Sequence, residues 1–179
     1  MNRWPDKSPG PPVALQMADL RNPEILFALN NAAVPDVNHI DRRKADWLLV
    51  HSALARVASL DGRPAGVVVV LADTAGLDSE YFRWFTERYE SFLYIDRVIV
   101  AAGARRRGVA TRLYLEVDDL AQAGRQAIAS EAYCEPPNVA SLSLHRKMGY
   151  LEIGQQVSMS EGRTVAKFMK FGDRARPGR

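Results

Sequence analysis

The sequence predicts a single α/β (α+β) domain built on one mixed sheet with helices on its faces. The chain has 179 residues, 47% of them apolar, which is the size and composition of one globular domain. Segments with helical and with strand periodicity alternate along it. Asp61-Gly62 also separates two β-rich runs and predicts a tight hairpin. We therefore expect one domain over residues 13–171, with about six to seven strands and four to five helices.

The excess basic residues lie at the two ends of the chain. The formal net charge is +3, and residues 1–12 and 172–179 account for it, so residues 13–171 are close to neutral. A nucleic-acid binder needs Lys and Arg gathered on one folded face, so DNA or RNA is not the expected partner. The proline-rich residues 1–12 predict a disordered lead-in, and residues 172–179 predict a frayed basic tail.

The composition also argues against disulfides, metal sites and membrane insertion. A single cysteine, Cys134, excludes an intrachain disulfide framework and a cysteine-rich zinc site. The longest apolar run, residues 66–72, is strand length and far short of the roughly 20 residues that span a bilayer. We expect a soluble cytoplasmic protein without a metal ion.

The first half predicts a strand, two helices and a hairpin. Residues 13–17 suit a short strand, Asn22 is a plausible N-cap for a first helix, and Asp41 for a second. The hairpin would pair residues 56–60 with residues 65–71.

The second half interleaves strands and helices. Tyr81, Phe85, Tyr89 and Phe92 recur at spacings that predict one stripe of a helix. The remaining expected elements are a strand at 94–100, a helix from 109 to 124, a strand at 127–133, a helix from about 136 to 148 that Asn138 could cap, and strands at 151–159 and 163–171.

A basic loop joins the predicted strand at 94–100 to the following helix. It reads Arg105-Arg106-Arg107-Gly108-Val109-Ala110. The free amides of a first helical turn and the helix dipole attract phosphate, and small residues allow close approach. A solvated basic loop would have the same composition, so both interpretations stay open at this point. The loop lacks the P-loop and the Gly-x-Gly-x-x-Gly patterns.

Two motifs together resemble the GNAT superfamily of N-acetyltransferases. Arg105-x-x-Gly108-x-Ala110 resembles its acyl-CoA signature Gln/Arg-x-x-Gly-x-Gly/Ala. The segment from Asn138 to Gly149-Tyr150 resembles its later motif, an Asn, a short helix, and Gly followed by Phe or Tyr. The resemblance extends loosely over residues 13–171. The segment from Tyr81 to Val100 also resembles a branch of bacterial acetyltransferases.

The resemblance implies a mostly antiparallel sheet that splays in the middle, and a site for acetyl-CoA at the splay. The pantetheine arm would pair with the strand edge, the pyrophosphate would lie on amides of the basic loop, and the Asn of the later motif often binds pantetheine. The implied cofactor-binding residues are Val98, Ile99, Val100, Arg105, Arg106, Arg107, Gly108, Val109, Ala110, Thr111 and Asn138.

The resemblance also implies direct attack of an amine on the thioester, which needs a proton acceptor. Asp96 is the first candidate for general base, and Glu131 on the neighbouring strand is the second. Strand periodicity would place Asp96 on one face with Tyr94 and Val98. Each carboxylate could instead form a structural ion pair.

His145 stands where the family commonly has a Tyr that hydrogen-bonds the leaving sulfur. Imidazole can protonate a thiolate, so His145 is a candidate general acid. It could equally pack in the core or hydrogen-bond CoA.

The aromatic residues Phe82, Trp84 and Tyr94 lead into the catalytic strand, and we expect them to form part of the acceptor wall. Asp36 or Asp96 beside aromatic surface would suit the amine of a small molecule or a peptide N-terminus. The rival functions are a catalytically degenerate acyl-CoA binding or sensing module and a basic phosphate or RNA binder. Dimers are common in the family, so the resemblance also allows a homodimer.

Overall fold

The computed structural model of the chain describes residues 15–159 and 161–172. The predicted lead-in, and the predicted tail apart from Gly172, lie outside the described residues. In chain order the elements are β1 (Leu15–Asp19), α1 (Pro23–Asn31), α2 (Arg42–His51), β2 (Ser52–Leu60), β3 (Arg63–Ala72), α3 (Glu80–Thr86), β4 (Phe92–Val100), a 3-10 turn (Ala102–Ala104), α4 (Val109–Gly124), β5 (Ala127–Glu135), α5 (Val139–Lys147), β6 (Leu151–Val157) and β7 (Thr164–Lys170).

The described strands form a seven-stranded sheet in the order β1-β2-β3-β4-β5-β7-β6. Only β4 and β5 pair in parallel, and the other neighbours are antiparallel. The predicted mixed, mostly antiparallel sheet with flanking helices is therefore confirmed.

Local signals in the sequence set the turns and the helix starts. Leu60 pairs with Arg63 across Asp61 and Gly62, whose φ angles of 52° and 72° are those of the tight hairpin turn that Asp-Gly favours. The predicted caps are also confirmed: the Asn22 side chain accepts from Glu24 N, that of Asp41 from Lys44 N, and that of Asn138 from Ser141 N.

The predicted helical stripe through Phe92 is wrong in its second half. The helix α3 ends at Thr86, and β4 already begins at Phe92. Ser91 has a φ of 50°, a left-handed conformation that breaks a helix. The stripe was misleading because Phe85 and Phe92 are both fully buried in the same core, one from a helix and the other from a strand.

The sheet buries a separate core on each face. One core packs α4 against the sheet through Leu113 and Val117. The other packs the first three helices through Leu26, Leu48 and Phe85. No helix in the described part of the chain is both long and apolar enough to cross a membrane.

Candidate active site

The parallel strands β4 and β5 separate after three residue pairs. Phe92 lies opposite Ala127 and Tyr94 opposite Ala129, where the pairing ends. Beyond that point β5 continues to pair with β7 on its other side, so β4 presents a free edge toward β5. A cleft of about 1130 Å³ opens there, between the two strands, the start of α4 and the loop that joins α1 to α2.

A β-bulge lies in β4 at the cleft. Val70 pairs with Ile95 and Val69 with Arg97, so Asp96 is the extra residue. The bulge interrupts the alternation of faces, and the prediction that Tyr94, Asp96 and Val98 share one face is wrong. Tyr94 packs in the core of the first three helices, whereas Val98 packs against the core of α4.

The basic loop ends in a turn suited to an anion. Gly108 has a φ of 79°, which L side chains rarely adopt, and precedes the first residue of α4. The first helical bond runs from Arg112 N to Gly108 O at 3.0 Å. The amides of Val109, Ala110 and Thr111 precede that bond, lie outside the helical ladder, and belong to residues that line the cleft.

Most of the predicted CoA contacts lie on the cleft. Those that line it are Val98, Ile99, Val100, Arg105, Arg106, Gly108, Val109, Ala110, Thr111 and Asn138, whereas Arg107 does not. The Arg105 guanidinium also forms a 3.2 Å ion pair with Asp36 of the α1–α2 loop, and both side chains are about half exposed. A free strand edge beside an open helical turn fits the pantetheine and pyrophosphate of CoA.

Glu131 of β5 is the carboxylate best placed for chemistry. Its Oε1 accepts a 2.5 Å hydrogen bond from the Tyr94 hydroxyl, and its Oε2 lies 3.8 Å from the buried Lys167 Nζ. Oε2 is itself buried and accepts no hydrogen bond from any described residue. Glu131 lines the cleft and its side chain is 13% exposed, so this carboxylate borders the cleft and keeps an oxygen that no described residue occupies.

Burial shifts the pKa values of Glu131 and Lys167 in opposite directions. It raises the pKa of Glu131 to about 6, against the opposing effects of the Lys167 ammonium and the Tyr94 hydrogen bond. It lowers the pKa of Lys167 to about 8, against the attraction of Glu131. Near neutral pH both groups are mostly ionised, and Glu131 titrates close enough to neutrality to act as a base.

Asp96 forms the structural ion pair that was its alternative in the sequence analysis. Arg97 Nε lies 2.5 Å from Asp96 Oδ2, and Arg97 Nη1 donates to Asn30 Oδ1 at 2.5 Å. The Asp96 side chain is 8% exposed. Asp96 lines the cleft, but its carboxylate is already neutralised, so the geometry favours Glu131 as the base.

His145 is buried and held in its neutral form. Nδ1 lies 2.8 Å from the Ser141 carbonyl, so Nδ1 carries the proton and Nε2 is the acceptor. The hydroxyls of Ser130 and Tyr114 approach Nε2 at 2.8 and 3.0 Å. Burial lowers the pKa of His145 to about 4. His145 lines the cleft, but near neutral pH its one ring proton is on Nδ1 and is held by the Ser141 carbonyl. The geometry therefore favours the packing alternative, in which the ring stacks on Phe168.

The three aromatic residues predicted for the acceptor wall separate in the structure. Tyr94 lines the cleft, but Phe82 and Trp84 do not. Phe82 is buried edge-on against Tyr94. Trp84 lies over Gly154, where an added Cβ would approach the indole to 3.2 Å. Two of the three are thus packing residues in this structure.

The far side of the cleft is bridged by a polar cluster. Asn38 of the α1–α2 loop donates to Glu161 Oε1 at 2.7 Å. The Tyr133 hydroxyl lies within hydrogen-bond distance of two acceptors, Glu161 Oε2 at 2.8 Å and Asn38 Oδ1. Arg163 lies over the Tyr133 ring and donates to Pro35 O. The α1–α2 loop and the segment between β6 and β7 are therefore linked to each other at this end of the cleft.

Sequence reasoning missed Lys167 and the Ser130–Tyr114 pair around His145. Lys167 had a signal, because it is an isolated charge between apolar neighbours in a strand predicted at 163–171. Ser130 and Tyr114 had none, since their meeting depends on how α4, β5 and α5 pack. Across residues 15–159 and 161–172, no group of three or more His, Cys, Asp or Glu is placed to hold a metal ion.

Comparison with known proteins identifies the family. Residues 16–150 match the Acetyltransferase (GNAT) family. The chain therefore belongs to this family, as its two motifs predicted, and it is an acyltransferase. A comparison with curated proteins finds no significant match by sequence.

Solved structures share the fold at low identity. Ard1 from Thermoplasma volcanium superposes with a TM-score of 0.70 at 14% identity, covering 88% of this chain and 97% of that one. The ribosomal-protein-alanine N-acetyltransferase from Brucella melitensis superposes with a TM-score of 0.65 at 21% identity, covering 89% of this chain and 99% of that one. Naa50 from Arabidopsis thaliana, solved in complex with the bisubstrate analogue CoA-Ac-MVNAL, superposes with a TM-score of 0.67 at 15% identity, covering 88% of this chain and 99% of that one.

Proposed function

We propose that this protein is an acetyl-CoA-dependent N-acetyltransferase that modifies a primary amine of a small molecule or a peptide. The observation that carries the proposal is the position of Glu131. Glu131 lines the cleft where β4 and β5 separate, and its buried Oε2 accepts no hydrogen bond from a described residue. On one side of it is the open first turn of α4, and on the other is the end of the cleft bridged by Asn38, Glu161 and Tyr133, which we call the acceptor half.

The chain's own residues account for the binding of the cofactor. The free edge of β4 from Val98 to Val100 would pair with the pantetheine amides, and Asn138 would bond to the same arm. The amides of Val109 to Thr111, with Arg105 and Arg106 beside them, would hold the pyrophosphate. Bound acetyl-CoA supplies the acetyl group as a reactive thioester.

Glu131 then acts as the general base. It accepts a proton from the acceptor amine, directly or through a water, so that the nitrogen lone pair can attack the thioester carbonyl. A new C–N bond forms, the C–S bond breaks, and CoA leaves as a thiolate that takes up a proton. Tyr94 keeps the carboxylate oriented from the neighbouring strand.

The acceptor half of the cleft favours a cationic amine. Its lining includes the Glu161 carboxylate, whose contacts with Asn38 and Tyr133 are to uncharged groups and leave its negative charge in place, and a carboxylate attracts an ammonium group. The structural neighbour solved with CoA-Ac-MVNAL binds an analogue that includes peptide residues, and this supports a peptide N-terminus as one acceptor to test.

Acetyl transfer is tested by following CoA release from acetyl-CoA with a panel of polyamines, amino sugars and short peptides with free N-termini. The proposal predicts release that depends on one class of amine and is lost in Glu131→Gln. The alternative, a degenerate acyl-CoA binding or sensing module, predicts saturable CoA binding with no amine-dependent release. Release that persists fully in Glu131→Gln would contradict the role of Glu131.

A further inference from the structure

Lys167 is a buried cation behind the cleft. Its side chain has 0% exposure, it lies in the middle of β7, and it is not part of the cleft lining. Nζ lies over the rings of Tyr81, Phe85 and Trp84 at 4.7, 5.0 and 5.7 Å and donates to Tyr81 O at 3.3 Å. Aromatic faces stabilise such an ammonium but do not neutralise it.

Glu131 neutralises this charge from the cleft side. The two residues are register partners on β5 and β7, and Nζ lies 3.8 Å from Oε2. That separation exceeds the 2.7–2.9 Å of a charge-assisted hydrogen bond, so Lys167 attracts the carboxylate without occupying its lone pairs. Oε2 thus stays charged and keeps lone pairs that no described residue occupies.

The other charged groups around the pair do not replace Lys167. Asp96 of β4 raises the pKa of Glu131 and Arg97 lowers it, but these two residues form an ion pair with each other. Glu80 raises the pKa of Lys167 and Arg88 lowers it, so their effects oppose each other. A buried charge is costly unless it is compensated, and Lys167 is the cation that faces Oε2.

We propose that Lys167 is a positioning residue that, from outside the cleft, keeps Glu131 ionised and oriented to accept the amine proton. The proposal rests on the proposed function, because it assigns Glu131 as the base. It adds a residue on a third strand, β7, to the two strands that form the splay.

The test compares three variants of the full-length protein. Lys167→Met removes the charge but keeps the length of the side chain, and Lys167→Arg keeps the charge. The matched control is Lys170→Met, because Lys170 lies on the same strand and pairs with Asp118 at 2.8 Å, away from the cleft. Thermal unfolding confirms that each variant is folded.

The first readout does not depend on activity. Carboxyl-carbon NMR, with Glu131→Gln to assign the signal, follows the titration of Glu131. We expect the Glu131 pKa to rise by about 1–2 units in Lys167→Met, because the loss of an opposite charge within about 4–6 Å has this effect. It should stay near the wild-type value in Lys167→Arg and in Lys170→Met. An unchanged pKa in Lys167→Met would overturn the proposal.

The second readout is the pH profile of kcat/KM with an amine accepted by the wild type. In Lys167→Met the acid limb should move to higher pH together with the NMR titration, so that activity falls about three- to 25-fold near pH 6.5 and recovers near pH 9. A limb that does not follow the titration would overturn the catalytic role of the pair. If the wild type transfers no acetyl group, the proposed function fails, and the NMR titration still decides whether Lys167 controls Glu131.

Discussion

The Tyr94 hydroxyl reaches from β4 to Glu131 of β5 and donates a 2.5 Å hydrogen bond to its carboxylate. Tyr94 is the last residue of β4 that pairs with β5, and Glu131 is two residues beyond its partner Ala129. The bond therefore connects β4 and β5 at the point where their backbone pairing ends. It fixes the carboxylate of a cleft-lining residue at the point where the two strands part.

Replacing Glu131 by Gln should lower kcat about 100-fold, because a positioned base contributes at least this much to proton transfer. In the wild type, kcat/KM should rise with pH as Glu131 loses its proton around its pKa of about 6. The variant should lack this limb. A pH–rate profile from about pH 5 to 9 measures both effects. Thermal unfolding shows whether the variant, in which Lys167 has lost its carboxylate partner, is still folded.

Replacing Asp96 by Asn should cost much less turnover than Glu131→Gln, about tenfold or less, because Asp96 is committed to Arg97. Some stability should be lost, since among the described residues Arg97 would keep only Asn30 as a side-chain partner. Steady-state kinetics of Asp96→Asn and Glu131→Gln, measured in parallel, show which substitution lowers kcat more. A larger loss in Asp96→Asn would transfer the role of base to Asp96.

Gly108→Val should weaken CoA binding about tenfold or more by placing a branched side chain beside the open amides. Gly62→Val is a matched control, because Gly62 has a similar φ of 72° in the β2–β3 turn, far along the chain from the basic loop. An added Cβ meets no atom within 4 Å at either position. The two variants should lose similar stability by thermal unfolding, but only Gly108→Val should lose affinity by calorimetry.

The ion pair between Arg105 and Asp36 should compete with CoA for the same guanidinium. Arg105→Ala should weaken CoA binding about three- to tenfold, and Asp36→Asn should strengthen it by up to about threefold, because an exposed pair is worth only about 0–1 kcal/mol. Both effects should shrink at high salt. Equal weakening by both variants would show that the pair, and not free Arg105, supports the site.

The buried His145 should make the protein lose stability in acid. Its folded-state pKa of about 4 is below the ordinary value of 6.5, so the unfolded chain binds a proton that the folded chain does not. The free energy of unfolding should therefore fall by about 3 kcal/mol as the pH drops from about 6.5 to 4. His145→Gln should flatten this dependence in denaturant titrations, whereas His39→Gln, at an exposed loop position, should not.

The sequence predicted the parts of the fold that local chemistry decides. Asp61-Gly62 specifies its own turn, and Asn22, Asp41 and Asn138 cap the helices that follow them. The motif at Arg105 to Ala110 marks the turn at Gly108 that begins α4. These features depend on a few consecutive residues, so no tertiary information was needed.

The site itself was predicted only in part, because its decisive features depend on tertiary contacts. The bulge at Asp96 is set by pairing with β3 and reverses the faces that strand periodicity assigns. Glu131 and Lys167 meet because β5 and β7 are neighbours, although 36 residues of sequence separate them. His145 could not be distinguished as acid or packing residue before its burial beside Phe168 was known.

The measurement that tests the central claim most directly is calorimetric titration of the protein with acetyl-CoA, and in parallel with CoA, at two salt concentrations. A cleft that holds the cofactor on the amides of α4 and the edge of β4 predicts saturable binding of one ligand per chain, moderately weakened by salt. No binding at millimolar acetyl-CoA would contradict the account.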